Sequence, residues 1–283
     1  MIHNERAITF DCEGESLVGI LSGARLPAAR GVLIVVGGPQ YRVGSHRQFT
    51  LLARHLAERG VPTLRFDYRG MGDSGGEART FERVSADIRC AINQFFLEVP
   101  DLKEVVIWGL CDAASAALMY AQGDARVSGL VLLNPWVRTP QGLARVHLRH
   151  YYLSRLLQSG LWQKVVRGEF DFREAASGLG RAIADALGRR SGANESPDAH
   201  APFLEKMEDG LRRFRGKVLL ILSGNDLTAQ EFKDLVAGSD RWRRLLEGDR
   251  VIRYDLPEAN HTFALRDWRD QVERWTEAWV KTI

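Results

Sequence analysis

Two rhythms of apolar and polar positions follow one another along this chain. Ile8-Thr-Phe-Asp-Cys12 and Ser16-Leu-Val-Gly-Ile-Leu21 read as strands, and Glu13-Gly14-Glu15 between them makes a β-hairpin. Gly31-Val-Leu-Ile-Val-Val36 is a continuous apolar run, as expected of a strand covered on both faces. The period then changes: Phe49, Leu52 and Leu56 recur at helical spacing between Ser45, a capping residue, and Gly60, a stop. Pro62-Thr-Leu-Arg-Phe66 is the next strand, and a helix over 81–97 follows with Val84, Ile88, Ala91, Ile92 and Phe95 on one face. Strands at 104–108 and 128–133 continue the alternation. Strands separated by helices predict a mostly parallel sheet with right-handed crossovers and helices on both faces.

After Asn134-Pro135 the alternation stops, and no strand pattern returns until Lys217-Val-Leu-Leu-Ile-Leu222. The spacing predicts a core over 1–138 and 216–283, interrupted by a largely helical cap over 139–215. Within the cap, Gly188-Arg-Arg-Ser-Gly-Ala-Asn-Glu-Ser-Pro197 reads as a loop. The core resumes with strand 217–223, a helix near 229–237, strand 251–255 and a last helix. That helix carries Trp268, Val272, Trp275 and Trp279 on one stripe, read as core packing.

Composition changes this picture little. The 283 residues are 45% apolar and 27% charged with a net charge of +3, which suits a globular domain and gives no argument for a nucleic-acid partner. No apolar run approaches the roughly 18 residues of a membrane span, and the first residues lack a signal-peptide pattern. Three scattered cysteines without metal-type spacing fit a reducing cytoplasm, with Cys12 and Cys90 read as plain buried thiols. No metal-ligand cluster or dinucleotide fingerprint is present, so no cofactor is expected.

Chemistry enters at Trp108-Gly-Leu-Cys-Asp-Ala113, between the strand Val105-Val-Ile107 and a small-residue helix starting at Ala114. Glycine, any residue, nucleophile, any residue, small residue at a strand-to-helix turn is a nucleophile elbow, here with Cys111 at the nucleophile position. A thiol attacks as thiolate, so it needs a base and a group that orients the base. Asp226, in Gly224-Asn-Asp226 after strand 217–223, is read as the orienting acid, with Asp234 and Asp240 as alternatives. His261, in Leu256-Pro-Glu-Ala-Asn-His261 after strand 251–255, is read as the base. The order nucleophile, acid, histidine is that of α/β-hydrolases, and each lies where open sheets gather their sites.

The oxyanion hole is expected to use the backbone N–H of Asp112 and a second donor from Gly37-Gly-Pro-Gln-Tyr41. Pro39 has no N–H, which leaves Gln40, then Tyr41. The same glycines also suit a tight turn. The side chain of Asp112 is expected to face solvent or to pair with an arginine. Arg42, His46 and Arg47 form a possible seat for a substrate carboxylate or a purely structural group.

Phe66-Asp-Tyr-Arg-Gly-Met-Gly-Asp-Ser74 resembles the Asp-x-Arg-Gly-x-Gly-x-Ser stretch of many α/β-hydrolases, with Asp67 and Arg69 structural in that turn. The resemblance covers the chain outside the cap. Gly37-Gly-Pro-Gln-Tyr-Arg42 and Trp108-Gly-Leu-Cys-Asp-Ala-Ala114 resemble, more narrowly, the exosortase A system-associated hydrolases of the first type, found near bacterial exopolysaccharide genes. Dienelactone hydrolases are similar in placing cysteine at the elbow but have a short core without such an insertion.

Cysteine implies an acyl-thioester intermediate on an ester or thioester substrate. Hydrolysis is the first reading, and transfer to an amine, alcohol or thiol acceptor the second; a non-catalytic ligand-binding scaffold is the rival of another class. Residues 139–168 hold five Arg or Lys and no Asp or Glu, together with Tyr151 and Trp162. They are read either as a lid over an acyl pocket, with a basic rim for an acyl carrier protein or an anionic polysaccharide precursor, or as a solvated basic face. Oligomeric state is not legible.

Overall fold

The computed structural model describes residues 4–24, 26–137 and 202–283. The five cations of 139–168, Tyr151, Trp162 and the 188–197 loop lie outside them. The hairpin forms as β1 (Glu5–Cys12) and β2 (Glu15–Ser22). Then follow β3 (Arg30–Val35), α1 (Gln48–Glu58), β4 (Thr63–Asp67), α2 (Ser85–Glu98), β5 (Glu104–Leu110), α3 (Asp112–Tyr120) and β6 (Val127–Leu133). Beyond the undescribed segment come α4 (Pro202–Arg213), β7 (Lys217–Ser223), α5 (Leu227–Gly238), α6 (Asp240–Leu246), β8 (Val251–Leu256) and α7 (Arg266–Thr282).

The strands make one eight-stranded sheet in the order β1-β2-β4-β3-β5-β6-β7-β8. β2 pairs antiparallel with both its neighbours, and every pair from β4 to β8 is parallel. The chain steps from β3 to β4 on one side and then crosses back to β5 on the other, so the carboxyl ends of β3 and β5 flank the reversal point. Open sheets leave a crevice for a ligand there.

Side-chain alternation along β5 shows how the faces are covered. Trp108 points to one face, where Phe49 of α1 meets it edge-on at 5.5 Å between ring centres. α7 lies beside α1, with Glu277 accepting from both His55 and Arg59. Gly109 points to the other face, where α3 folds back so closely that a Cβ would lie 2.7 Å from the Ala113 carbonyl. Burying Val32, Val106, Ile107, Leu130 and Leu219 completely, between helices on both faces, supplies the main stabilising term.

Two expectations need correction. α4 falls in the stretch read as cap, yet its Met207 and Leu211 are buried in the core and Phe203 meets Phe81 edge-on at 5.4 Å. Arg250, entering β8, donates to the Leu211 carbonyl at 2.6 Å and also to that of Phe214, which satisfies the free carbonyls at the end of α4. The tryptophan stripe of α7 is only partly core. Val272 and Trp279 are buried, whereas Trp275 lies flat on Tyr254 of the exposed edge strand β8, 4.5 Å between rings. Cys12 is buried, but Cys90 only half so. No helix among the described residues is long and apolar enough to cross a membrane.

The turn after β4 is tied by buried ions. Asp67, wholly buried, accepts the Arg42 N–H at 2.6 Å and the Asp73 N–H at 3.1 Å, and it also pairs with the Arg42 guanidinium. Arg69 donates to both carboxylate oxygens of Asp87, each at 2.9 Å. That bidentate bond, beside Glu13, holds the Arg69 pKa above the ordinary arginine value. Removing one partner of a buried, hydrogen-bonded pair leaves the other uncompensated and costs about 3–5 kcal/mol. Asp87→Ala is therefore expected to lower the unfolding free energy by about 3 kcal/mol or more, measured by chemical denaturation. A loss below about 1 kcal/mol would put this pair at surface-bridge strength.

Candidate active site

β5 ends at Leu110 and α3 begins at Asp112, so Cys111 alone makes the turn between them. It does so with φ +64° and ψ −126°, a backbone state that side-chain-bearing residues rarely adopt. The surroundings hold it there. Its N–H donates to the Leu133 carbonyl at 2.9 Å, and its carbonyl accepts from Ala114 at 3.1 Å and Trp136 at 3.2 Å.

Two loops from β7 and β8 bring polar groups to the same end of the sheet. Asp226 caps α5, its carboxylate accepting the Thr228 and Ala229 N–H groups at 3.2 and 3.1 Å. The same carboxylate takes His261 Nδ1 at 2.9 Å. The Cys111 thiol is near enough to the same imidazole to favour its charged form. Asp234 and Asp240 are engaged elsewhere, by Gln230 and Arg243 respectively. Of the three carboxylates considered, Asp226 is therefore the one brought to His261.

Charge follows this geometry. The Asp226 bond first, then the Cys111 thiol, pushes the His261 pKa up to about 10 against the opposing effect of burial. Burial works to raise the Asp226 carboxyl, but the hydrogen bond and charge of His261 and two helix N–H groups outweigh it, and its pKa lies below the usual value. Imidazolium is therefore the favoured state of His261 at neutral pH.

A residue that sequence reasoning passed over ties the loops together. Asn134, fully buried at the end of β6 with φ +43°, accepts the Ser223 N–H at 2.9 Å and donates to the His261 carbonyl at 3.2 Å. One amide thus bridges the loops of acid and base, which asparagine can do because it both donates and accepts. The only sequence signal is an asparagine, a residue tolerant of positive φ, directly after an apolar strand.

The expected oxyanion residues fall differently. Gly37 lies against the elbow so tightly that a Cβ would come 2.4 Å from the Leu110 carbonyl. The loop N–H that reaches the elbow is consequently that of Gly38, two residues before Gln40. Gln40 instead braces its own loop, accepting the Ser45 N–H at 3.0 Å, and Tyr41 is exposed. The Asp112 side chain is half-buried and turned inward, its Oδ1 accepting the Gly38 N–H at 2.7 Å, and no ion pair to an arginine is formed among the described residues. Burial raises the Asp112 pKa, opposed by the N–H groups of Gly38, Ala113 and Asp112 itself and by the charge of His261.

Arg42 is committed to Asp67 and Asp73, so its guanidinium is not offered to a substrate. His46 and Arg47 are exposed and both have positive φ, 53° and 62°. Tyr151 and Trp162 lie outside the described residues. Among the described residues no three His, Cys, Asp or Glu side chains gather as a metal site.

A sheet whose order reverses beside a one-residue strand-to-helix turn defines the α/β-hydrolase topology. A model described as the alpha/beta hydrolase family matches residues 32–275, and the chain belongs to that family. The chain is 28% identical over 132 residues to the polyketide transferase grgF of a Penicillium species, a match spanning 45% of either protein. It is 30% identical over 162 residues to an uncharacterized protein of Pseudomonas aeruginosa, spanning 55% of this chain and 40% of that one. The match thus spans less than half the length of these curated relatives.

Among solved structures, the esterase Pf2001 of Pyrococcus furiosus superposes with a TM-score of 0.66 at 14% identity, covering 99% of this chain and 91% of that one. Est1E from Butyrivibrio proteoclasticus, solved with ferulic acid, gives 0.63 at 16% identity, covering 97% and 98%. At those identities the likeness is one of fold.

Two measurements test this arrangement. A folded-state pKa raised from about 6.5 to about 10 stabilises the fold fully below the lower value and loses that contribution as pH rises through the upper one. The stability difference between wild type and His261→Gln should therefore be largest below about pH 6.5 and shrink towards pH 10 in denaturant melts. A difference that widens with pH contradicts the assignment. Asn134→Ala leaves the Ser223 N–H and His261 carbonyl without their partner and should cost about 1–3 kcal/mol in the same melts. An unchanged midpoint would mean that water replaces the amide without loss.

Proposed function

We propose that this protein is a cysteine-nucleophile hydrolase that forms an acyl-thioester on Cys111 from an ester or thioester substrate. The observation that carries the reading is the Asp226 Oδ2 to His261 Nδ1 bond at 2.9 Å, made by an imidazole that the nearby Cys111 thiol also pushes towards its charged form. With the thiol proton on His261, the sulfur attacks the carbonyl carbon, forming a C–S bond while the carbonyl electron pair moves to oxygen. The N–H groups of Asp112 and Gly38 are the donors for that oxygen. When the tetrahedral centre collapses, the bond to the leaving group breaks and the imidazolium gives that group its proton. His261, now neutral, takes a proton from water as the water attacks the thioester, and the thiol returns. Asp226 holds the ring in the orientation both proton transfers need.

A second reading has its own support. The curated relative at 28% identity carries the name polyketide transferase, and thioesters react readily with amines and thiols as well as with water. In that reading an acceptor replaces water in the second half-reaction. The motif resemblance to exosortase A system-associated hydrolases favours a bacterial cytoplasmic setting linked to exopolysaccharide formation. An acyl carrier protein is the acidic partner that the basic 139–168 segment would suit.

Intact-mass analysis after mixing with a panel of acyl thioesters and activated esters tests the proposal. An acyl adduct on wild type is expected, none on Cys111→Ala, and a slower trace on Cys111→Ser. Equal adduct on the alanine variant would overturn the choice of nucleophile. Asp226→Asn should lower kcat by about 10²–10⁴-fold, since it leaves the imidazole in the wrong tautomer. An adduct that decays in buffer marks hydrolysis, and one that persists until an amine or thiol arrives marks transfer. Absence of selective labelling of Cys111 by a thiol-reactive probe would favour the binding scaffold.

A further inference from the structure

We propose that Asp112 gates the oxyanion hole: its carboxylate occupies the N–H groups meant for the reacting carbonyl oxygen, and an acyl group enters only by displacing it. The inference rests on the reading of Cys111 as nucleophile and concerns which acyl groups the site admits. α3 opens at Asp112, so its first N–H groups have no partner within the helix. The Gly38 N–H arrives from a different element and reaches the same spot, 2.7 Å from Asp112 Oδ1. It is kept there because Gly37 has no room to retreat or to carry a side chain: a Cβ on it would meet Leu110 O at 2.4 Å and Asp112 Oδ1 at 2.5 Å.

Donors from two elements thus meet one carboxylate, the Gly38 N–H on Oδ1 and the Ala113 and Asp112 N–H groups of the helix start, as donors would meet the charged oxygen of a tetrahedral intermediate. The acceptor in place is the protein's own carboxylate. The groups around it are few. His261 contributes positive charge and Cys111 adjoins it in the chain. Tyr68, whose hydroxyl is pushed up to about 12 by burial and by Asp112 and Asp87, stays neutral. Among the described residues no arginine or lysine forms an ion pair with it, and the N–H groups and the charge of His261 oppose its burial.

This arrangement has a consequence for selectivity. A neutral acyl carbonyl can exchange with the carboxylate, which then moves aside. An acyl group with its own carboxylate near the carbonyl meets like charge at close range and is disfavoured. Asp112 is in this sense a specificity-determining residue, additional to the donor role of its own N–H.

The test alkylates Cys111 in the full chain with iodoacetamide and with iodoacetate, following each by intact mass. In both reactions the thiolate forms a C–S bond to the methylene carbon and iodide departs, so substrate turnover is not needed. The reagents differ only in carrying an amide or a carboxylate. Asp112→Ala is expected to raise the iodoacetate-to-iodoacetamide rate ratio by about tenfold or more, and Asp112→Asn, which keeps the shape without the charge, by a smaller factor.

Sodium acetate should then slow iodoacetamide labelling of Asp112→Ala, because the vacated N–H groups hold it, and leave wild type unaffected. A rate ratio within twofold of wild type in both variants, or no acetate protection in the alanine variant, overturns the gate and leaves Asp112 as a cap that holds the loop at Gly38. If the alanine variant does not fold, the asparagine variant decides through its rate ratio. Failure of the acyl-adduct experiment above would leave these labelling ratios unchanged, so the two proposals fail separately.

Discussion

One peptide unit bears the geometric constraint that the rest of the site depends on. Cys111 must leave β5 and enter α3 without an intervening loop, and it accepts a left-handed φ of +64° to do so. Such a conformation costs on the order of 1–3 kcal/mol and persists only where neighbours over-determine it. Here they do. Leu133 of β6 holds its N–H, Trp136 and Ala114 hold its carbonyl, and α3 lies so close over Gly109 that no side chain fits between them. The thiol is thereby set at the reversal point of the sheet, with the first N–H groups of a helix beside it.

The strain at the elbow would be of no use without partners that arrive with equal precision from distant parts of the chain. Parallel pairing of β6, β7 and β8 places their carboxyl ends side by side. The loops that follow β7 and β8 are joined through backbone bonds from Gly224 to Leu256 at 2.8 Å and from Asn225 to Ala259 at 3.0 Å. Asn134 adds a side-chain tie between the same loops from β6. The loops that carry Asp226 and His261 are therefore tied to one another, as the proposed proton transfers through the imidazole require.

How much of this could be read from the residues alone follows from the range of each interaction. The strand-turn-helix pattern around Cys111 is local, and so are the strand ends that carry Asp226 and His261, which is why the sequence could place these three at one end of the sheet. The hairpin, the parallel order and the buried face of α2 followed from periodicity in the same way. What was not legible depends on partners far away in sequence. α4 is strongly amphipathic, but whether it belonged to the cap or the core was decided by Phe81, Arg250 and α3. Gln40 looked like the better donor because only Pro39 could be excluded locally. It is the contact of Gly37 with Leu110 that presents Gly38. No local pattern says that a carboxylate beside a thiol turns inward, because that choice rests on N–H groups of a loop 74 residues earlier. Arg42 looked available for the same reason, its partner Asp67 being 25 residues away.

Two carboxylates share one imidazole, and their surroundings drive them apart. Asp226 is held ionised because its burial is more than offset by His261 and two N–H groups at the head of α5. Asp112 has N–H donors and the more distant charge of His261 as well, yet burial dominates and its pKa rises. Divergent environments of this kind separate the roles that chemically identical groups can take. The ionised one suits a permanent partner for an imidazolium. The one whose charge is costly to keep buried suits a ligand that a better-matched oxygen can replace. A thiol that gives its proton to His261 strengthens this division, since the resulting thiolate stabilises the imidazolium and at the same time repels the carboxylate beside it. The proposed nucleophile therefore favours the departure of the group that blocks its own substrate.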